Sequence, residues 1–287
     1  MIKIMHFSPL RKSSDIIGLH LESLKKINSE NIEITYTFFD DNVDIQSSFL
    51  LGEFLDLIPN SRELKFKNIR DNGYCNKDRW SPTLYNRITS IKDEAIKYFL
   101  ENNNFDYLFL TDADLVVHPQ TLVALVGANK DFCTEIFWTR FESSSFCTPN
   151  AWYSKHGGFN EIDLIRLSKR GTYPVDYTGA CTLLSRKLLE TGVRFERITN
   201  IEYLGEDKHF CIRAAVMGFS AYCNTDYPAF HIYRENLLPK AKAILESNFK
   251  MNYTDEWLND RWLDEISKSF KTSNLILLKR FLKKLLK

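Results

Sequence analysis

A short apolar run that ends abruptly in two acids constrains this sequence more than any other feature. Residues 105–110 read Phe-Asp-Tyr-Leu-Phe-Leu, and Asp112 and Asp114 follow. The run is too short for a typical helix and rich in aromatic residues, which predicts a buried strand that delivers both carboxylates to a sheet edge. Side chains at i and i+2 of an extended segment point the same way, so the pair is expected to converge on one Mg²⁺ or Mn²⁺ ion. An Asp-rich turn after a strand explains the motif alone equally well.

Strand and helix patterns alternate through the first half of the chain. This alternation predicts an α/β sheet of mostly parallel strands, and the second predicted strand ends in Asp40 and Asp41. Ligands of open α/β sheets bind at the carboxyl ends of the strands, so Asp40, Asp112 and Asp114 are expected to share one site. The predicted strands are 2–7, 32–39 and 105–110, and the predicted helices are 15–28 and 84–101.

The second half is less regular. Pro119 is expected to open a short helix that ends at Leu125, because proline is tolerated at the first helical position. Residues 139–158 are rich in Ser, Thr, Asn and aromatic residues without period, which predicts a ligand-covering loop. Further helices are predicted at 160–169, 185–191 and 206–217, further strands at 131–137, near Tyr177 and at 220–223, and a wholly helical segment after His231.

Length and composition place the chain among ordinary globular proteins. Its 287 residues allow one large or two modest domains, and contents of 44% hydrophobic and 26% charged residues are typical of soluble folds. Six scattered cysteines, without a Cys-x-x-Cys pair, a signal peptide or a long apolar stretch, lead us to expect reduced thiols in a cytoplasmic protein.

The net charge of +1 conceals a basic C-terminal tail. Seven Lys or Arg residues and no acid lie between Ile266 and Lys287, whereas the rest of the chain carries 31 basic and 37 acidic residues. Residues 273–287 set leucines at helical steps with basic residues opposite, which predicts a helix that contacts an anionic membrane or a partner rather than solvent alone. Nucleic-acid binding is not expected, because the basic residues are concentrated in this tail.

Three later segments resemble the catalytic half of glycosyltransferase family 2 and related GT-A enzymes. In addition, Asp112-Ala113-Asp114 looks like the Asp-x-Asp of that family, and Asp40-Asp41 looks like its acid pair after the second strand. The resemblance implies a GT-A, Rossmann-like catalytic domain over residues 1–233, with a donor-binding half to about 117 and an acceptor half from about 118. Residues 234–287 would form a helical extension. The three segments are TGACTLLSR at 178–186, GEDKHFCIR at 205–213 and PAFH at 228–231.

The resemblance also implies the central chemistry. Mn²⁺ or Mg²⁺ held by Asp112, Asp114 and His231 would neutralise the departing diphosphate. By itself, His231 is more readily explained as a strand-end histidine bonded to a carbonyl. Asp207 is the implied base that takes the acceptor proton, with Glu206 holding the acceptor or a backbone group. Both acids lie in the predicted first turn of a helix, where the dipole favours the ionised carboxylate, although acids are common there for structural reasons alone.

Donor contacts are implied for Ser8, Asp40, Arg87, Gly179 and Ala180. The loop that begins at Ser8 lacks the Tyr-Asn pair of the family. On the residues alone, Asp40 fits a solvated turn equally well, Gly179 fits a tight turn equally well, and an exposed helix face is favoured for Arg87.

Function follows as an expectation from these motifs. We expect a metal-dependent glycosyltransferase that moves a sugar from a UDP- or GDP-sugar to a carbohydrate or lipid-linked acceptor with inversion. Trp152 either stacks on the acceptor or belongs to the core. A looser likeness to Anp1-type mannosyltransferases implies retention instead, and a non-catalytic binding protein stays open. A phosphatase with an aspartate nucleophile is disfavoured, because its motif belongs on the first strand.

Overall fold

The computed structural model describes residues 1–67, 69, 82–141, 146–153, 161–201, 205–254, 262–268 and 271. Its first half alternates strands and helices as predicted. The strands are β1 (Ile2–Leu10), β2 (Ile32–Asp40), β3 (Ser61–Glu63), β4 (Tyr107–Leu110) and β5 (Leu115–Val116), and the helices are α1 (Ser14–Lys25), α2 (Ile45–Leu57), α3 (Pro82–Glu101) and α4 (Thr121–Gly127).

The second half adds the strands β6 (Phe132–Thr139), β7 (Thr148–Pro149), β8 (Ala151–Trp152), β9 (Thr172–Val175), β10 (Tyr177–Thr178), β11 (Thr182–Ser185) and β12 (Ala221–His231). It also adds the helices α5 (Glu161–Leu167), α6 (Arg186–Leu189), α7 (Glu206–Val216) and α8 (Leu238–Glu246), with a 3₁₀ turn at Glu235–Leu237. Residues 262–268 are helical.

One mixed sheet organises the molecule. Its central strands follow the order β3-β2-β1-β4-β11-β6-β12-β5. Strands β1, β2, β3 and β4 are parallel to one another, and β6 and β12 run in the same direction. Strands β11 and β5 run in the opposite direction. The start of β11 therefore lies at the edge where β1, β2, β4, β6 and β12 end.

Helices cover both faces of this sheet because successive residues of each strand point to opposite sides. Met5 and Phe7 of β1 face the cluster that contains the buried side of α3 and of α7. Ile4 and Leu10 face the cluster that contains α1, α2 and α4. Helix α8 packs on the domain, since its Ile244 belongs to a cluster with Ile16 of α1 and Phe230 of β12.

Several predicted boundaries differ from the structure. Helix α2 and strands β3, β5, β9 and β11 were not predicted, and the predicted strand 220–223 is the beginning of the much longer β12. Pro119 does not open α4, which begins at Thr121 after Gln120 as its N-cap. Within 139–158 the structure describes β7 and β8 rather than a wholly irregular loop.

Helix α2 shows why one of these elements was missed. Its apolar residues do not form a clean stripe, because Ser47, Ser48 and Gly52 interrupt the pattern. The helix is nevertheless started by Asp44, whose carboxylate accepts from the Gln46 N–H at 3.1 Å and from the Ser47 hydroxyl at 2.9 Å. Such a cap is worth about 1 kcal/mol and can be found in a sequence.

The predicted tail 273–287 lies outside the described residues. Among the helices that the structure describes, none combines the length and the apolar character needed to cross a bilayer.

Candidate active site

Asp112 and Asp114 leave the end of β4 in different directions. Strand β4 ends at Leu110, and residues 112–115 form a turn in which the Leu115 N–H donates to the Asp112 carbonyl at 3.2 Å. Asp112 has 42% of its side chain exposed and lies 4.0 Å from the Lys92 ammonium, whereas Asp114 is buried beside Lys12. The expectation that the i and i+2 carboxylates point the same way is wrong, because the segment is no longer extended.

A buried lysine joins Asp112 to the start of α7. Lys92 of α3 has 4% of its side chain exposed, and its Nζ lies 2.7 Å from Glu206 Oε1 and 3.2 Å from Asp207 Oδ1. Gly205 is the N-cap of α7, as predicted, with a φ of 105°. Glu206 is buried and bonded to Lys92, so its carboxylate holds this lysine rather than a backbone group.

Gly179 forms the wall of this cluster. A Cβ placed on Gly179 would lie 1.9 Å from Asp207 Oδ2, which only glycine avoids. The Gly179 carbonyl accepts from Asn150 Nδ2 at 2.9 Å. Ala180 and Cys181 follow with φ values of 52° and 41°. Two consecutive left-handed residues without a glycine are unusual, and they turn the chain from β10 into β11 beside the cluster.

Burial shapes the charges of these groups. It raises the pKa of Asp207 to about 7; Lys92 opposes this rise, while Glu206 and Asp112 add to it. Although 42% of the Asp112 side chain is exposed, loss of hydration around its carboxylate also raises its pKa, against the lowering effect of Lys92. For Lys92, burial lowers the pKa, but the three carboxylates together raise it well above its ordinary value. The surroundings of Asp207 therefore oppose the helix dipole, which by itself favours the ionised carboxylate.

Asp114 and His231 meet at the ends of β4 and β12. His231 Nε2 lies 3.4 Å from Asp114 Oδ2, and its Nδ1 is 2.7 Å from the Thr139 hydroxyl. Lys12, directly after β1, places its Nζ 2.9 Å from the same Asp114 oxygen. Burial raises the pKa of Asp114, but Lys12 and His231 outweigh it and hold the pKa well below its usual range.

These residues fit a divalent ion in part. Two ligands about 2.1 Å from one ion lie about 3 Å apart at a right angle, close to the separation of the Asp114 and His231 atoms. Asp112 is directed to Lys92 instead, and within the described ranges no three His, Cys, Asp or Glu side chains are grouped as metal ligands. Mg²⁺ commonly uses one or two carboxylates and completes its shell with substrate phosphates, which suits this incomplete set.

The acids after β2 form a separate part of the same edge. Asp40 accepts from the N–H and the side-chain amide of Asn42, at 3.0 and 2.8 Å. Arg87 forks onto the Asp41 carboxylate and Arg11 lies 3.3 Å from it. Arg87 has only 11% of its side chain exposed, so the favoured interpretation of it as an exposed helix residue is wrong.

Two predicted contacts lie apart from these clusters. Ser8 is fully buried within β1, so its hydroxyl does not reach the surface of the site. Trp152 of β8 is 37% exposed, which disagrees with a core role. Its strand pairs with β10, the strand that leads to Gly179.

Sequence reasoning missed Lys92 and Lys12. A signal for Lys92 was present, because it lies four residues after Ile88 and three before Ala95, on the apolar stripe of the predicted helix. A lysine on such a stripe needs a buried partner. For Lys12, the only sequence feature that indicated a role in the site was its position just after the first strand.

Comparison with known proteins gives a match in structure alone. No protein-family model matches the sequence, and no curated protein matches it. Mannosyltransferase PcManGT from Pyrobaculum calidifontis, solved in complex with GDP-Man and Mn²⁺, matches with a TM-score of 0.50 and 13% identity, over 99% of this chain and 80% of that one. S. aureus TarS 1-349 matches with a TM-score of 0.50 and 14% identity, over 92% of this chain and 70% of that one.

The fold is that of the GT-A glycosyltransferases. At this level of identity the likeness establishes the arrangement of strands and helices. The chemistry has to be argued from the side chains at the sheet edge.

Proposed function

We propose that the protein is a metal-dependent glycosyltransferase that moves a sugar from a nucleotide-diphosphate sugar to a carbohydrate or lipid-linked acceptor with inversion. The observation that carries the proposal is the position of Asp207. Its carboxylate lies beside Gly179 and 3.2 Å from Lys92, which also reaches Asp112 at 4.0 Å, and 27% of the Asp207 side chain is exposed. A partly exposed acid at the ligand-binding edge of a GT-A fold suits a base that receives a proton from an incoming hydroxyl.

The reaction assigned to Asp207 is a single displacement. The acceptor oxygen bonds to the anomeric carbon while the bond from that carbon to the diphosphate breaks, and the bonding electrons leave with the diphosphate. The acceptor proton moves to the Asp207 carboxylate. A pKa of about 7 suits this transfer, because a base is most effective when its pKa is near the working pH.

Asp114 and His231 are the residues we assign to the metal, and Asp112, which faces Lys92 here, would have to turn toward them to serve as a third ligand. A bound Mn²⁺ or Mg²⁺ would act as a Lewis acid that stabilises negative charge on the leaving diphosphate. PcManGT, which shares the fold, was solved with Mn²⁺ and GDP-Man, which supports a metal and a sugar nucleotide as ligands here. The residues that stay as proposed donor contacts are Asp40, Arg87, Gly179 and Ala180, whereas the fully buried Ser8 does not.

Diphosphate release from a panel of UDP- and GDP-sugars tests the proposal. The purified protein is incubated with each donor and candidate glycan acceptors, with Mn²⁺ or with a chelator. We expect metal-dependent release from at least one donor and a fall of about 10²- to 10⁴-fold in Asp207→Asn, the range for loss of a general base. Asp56→Asn, on an exposed part of α2, is the matched control and is expected to keep full activity.

The stereochemistry of the product tests the mechanism separately. NMR of the glycoside should show inversion relative to the donor. Retention would remove the need for an acceptor base and would overturn the role assigned to Asp207. Donor binding without turnover in any mixture would instead support a binding protein.

A further inference from the structure

Lys92 is buried at a place where three acids from two parts of the chain meet. Its side chain is 4% exposed, and its Nζ lies 2.7 Å from Glu206, 3.2 Å from Asp207 and 4.0 Å from Asp112. Lysine is almost never fully buried without a partner, because removing an ammonium from water is costly. A single carboxylate would suffice to compensate it, and Glu206, itself buried, already does so at the shortest distance.

The carboxylate of Asp207 differs from that of Glu206 in its exposure to solvent. Asp207 keeps 27% of its side chain exposed and is open to an incoming group, whereas only 6% of the Glu206 side chain is exposed. The two oxygens of Asp207 nevertheless have defined neighbours on both sides. Oδ1 accepts a hydrogen bond from the Lys92 ammonium, and Oδ2 lies 1.9 Å from the position that a Cβ on Gly179 would take. The carboxylate is thus confined between a cation and a glycine backbone.

Gly179 and Lys92, the two neighbours of the Asp207 carboxylate, are each held in place by further contacts. The Gly179 carbonyl accepts from Asn150 Nδ2 at 2.9 Å, and the same amide donates to the Glu135 carbonyl of β6 at 3.2 Å. The Lys92 ammonium lies 5.0 Å from the centre of the Phe195 ring. The Phe195 N–H in turn donates to Asp93 of α3 at 2.6 Å.

We propose that Lys92 is a positioning residue for glycosyl transfer, which holds the Asp207 carboxylate against Gly179. The proposal rests on the proposed function and extends it to a residue outside the acid motifs. Lys92 acts through Asp207 and contacts neither sugar nor acceptor. Its role differs from that of a structural ion pair, because Glu206 alone would satisfy the fold.

The first test compares Lys92→Met with Lys97→Met. Lys97 lies on the same helix and is exposed, so it controls for loss of a lysine from α3. For Lys92→Met we expect kcat to fall about 100-fold, equivalent to about 2.7 kcal/mol, while the KM for the donor changes less than about threefold. Lys97→Met should match the parent. An unchanged kcat in folded Lys92→Met would overturn the proposal.

Removing the lysine alone leaves Glu206 buried without its cation, and this variant can fail to fold. The double variant Lys92→Met, Glu206→Gln replaces the buried pair by neutral side chains of similar shape and should recover the native circular-dichroism spectrum. Asp207 still lacks its partner there, so kcat should stay about 100-fold low. Glu206→Gln alone keeps the contact of Lys92 with Asp207, and we expect its kcat to exceed that of the double variant at least about tenfold. Equal values would contradict the role of Lys92.

A cycle with Asp207→Asn asks whether Lys92 acts through Asp207. If it does, Lys92→Met should lower the residual transfer of Asp207→Asn by less than about threefold, measured with radiolabelled donor. A further loss of about 100-fold would place the effect of Lys92 elsewhere and overturn the proposal. If the parent protein transfers sugar and Lys92→Met is equally active, only this inference is contradicted. If the parent is inactive with every donor, the proposed function is contradicted, and the inference with it.

Discussion

The chemistry of Asp207 depends on its neighbours more than on its place in a helix. Its position in the first turn of α7 favours ionisation through the helix dipole. Burial and the nearby carboxylates of Glu206 and Asp112 oppose this and raise its pKa to about 7, although Lys92 pulls in the other direction. The ionised form that an isolated helix would favour is thus opposed by burial, by the adjacent Glu206 and by Asp112, which is far away in the chain.

This pKa predicts how the proposed transfer activity depends on pH. Asp207 accepts a proton only when ionised, and its raised pKa means that the ionised fraction grows as the pH rises from about 6 to about 8. We therefore expect kcat/KM to increase over that window with an apparent pKa near 7. The profile should be measured at saturating metal. A rate that falls across the window would contradict the assignment of Asp207 as the base.

A single methyl group on Gly179 should disable the site. In Gly179→Ala the new Cβ would lie 1.9 Å from Asp207 Oδ2, so the carboxylate has to move. We expect kcat to fall at least about 100-fold, as for displacement of a general base. Gly52→Ala on α2 is the control, because the added Cβ meets nothing within 4 Å apart from its chain neighbours and the backbone of its own helix. Comparable activity of the two variants would contradict the contact.

At the scale of elements, α1 is tied to the chain beyond the acid motif by a histidine. The His20 ring donates from Nδ1 to the Leu115 carbonyl at 2.7 Å, and the Ser23 hydroxyl accepts from the Val117 N–H at 3.1 Å. Burial lowers the pKa of His20 to about 4, and Leu115 and Asp114 only partly offset this. Helix α1 therefore packs on this segment with His20 neutral.

The neutral histidine predicts acid sensitivity of the fold. The unfolded chain takes up this proton near pH 6.5 and the folded chain only near pH 4, so stability is complete above about pH 6.5 and falls as the pH drops toward 4. The loss from His20 is about 3 kcal/mol. In His20→Asn, whose amide can still donate to Leu115, urea unfolding should show a shallower dependence on pH, by about one proton. Identical slopes below pH 6.5 would contradict this, and above pH 7 the slopes should agree.

Elements with a strong period could be predicted from the sequence. Helix α3 was expected at 84–101 and spans Pro82–Glu101, and β1, β2 and β4 were expected within three residues of their ends. Strand β11 was not predicted from the sequence, because Thr182–Ser185 is only four residues long and leads directly into α6. Its strand character comes from pairing on both sides, with β4 and with β6, which no local pattern encodes.

At the scale of the whole molecule, the sheet collects charged residues that are far apart in sequence. These residues follow or face the ends of different elements, and the order of the sheet brings those ends to one edge. They are Lys12, Lys92, Asp114, Asp207 and His231. The lysines lie between the acids, which lessens their mutual repulsion. The sheet edge therefore carries both signs of charge before any ligand binds.

The basic tail should direct the molecule to anionic surfaces. Residues 273–287 lie outside the described part of the chain, but each Lys or Arg near such a membrane contributes about 1 kcal/mol. We expect the full chain to sediment with phosphatidylserine-rich vesicles and to be released by high salt. A chain that ends at residue 272 should not bind, and neutral phosphatidylcholine vesicles are the control. Equal binding of the truncated chain would contradict a role for the tail.

The sequence by itself determined the α/β class, the long periodic elements, the acid pairs at strand ends and the start of α7 directly after Gly205. These features are local, because they depend on side-chain period, strand length and residue types at helix ends. Tertiary structure decided which groups face each other. It separated Asp112 from Asp114, paired Arg87 with Asp41, placed Lys92 between three carboxylates and moved the pKa of Asp207 to about 7. Those outcomes depend on burial and distance between remote residues, which sequence spacing does not encode.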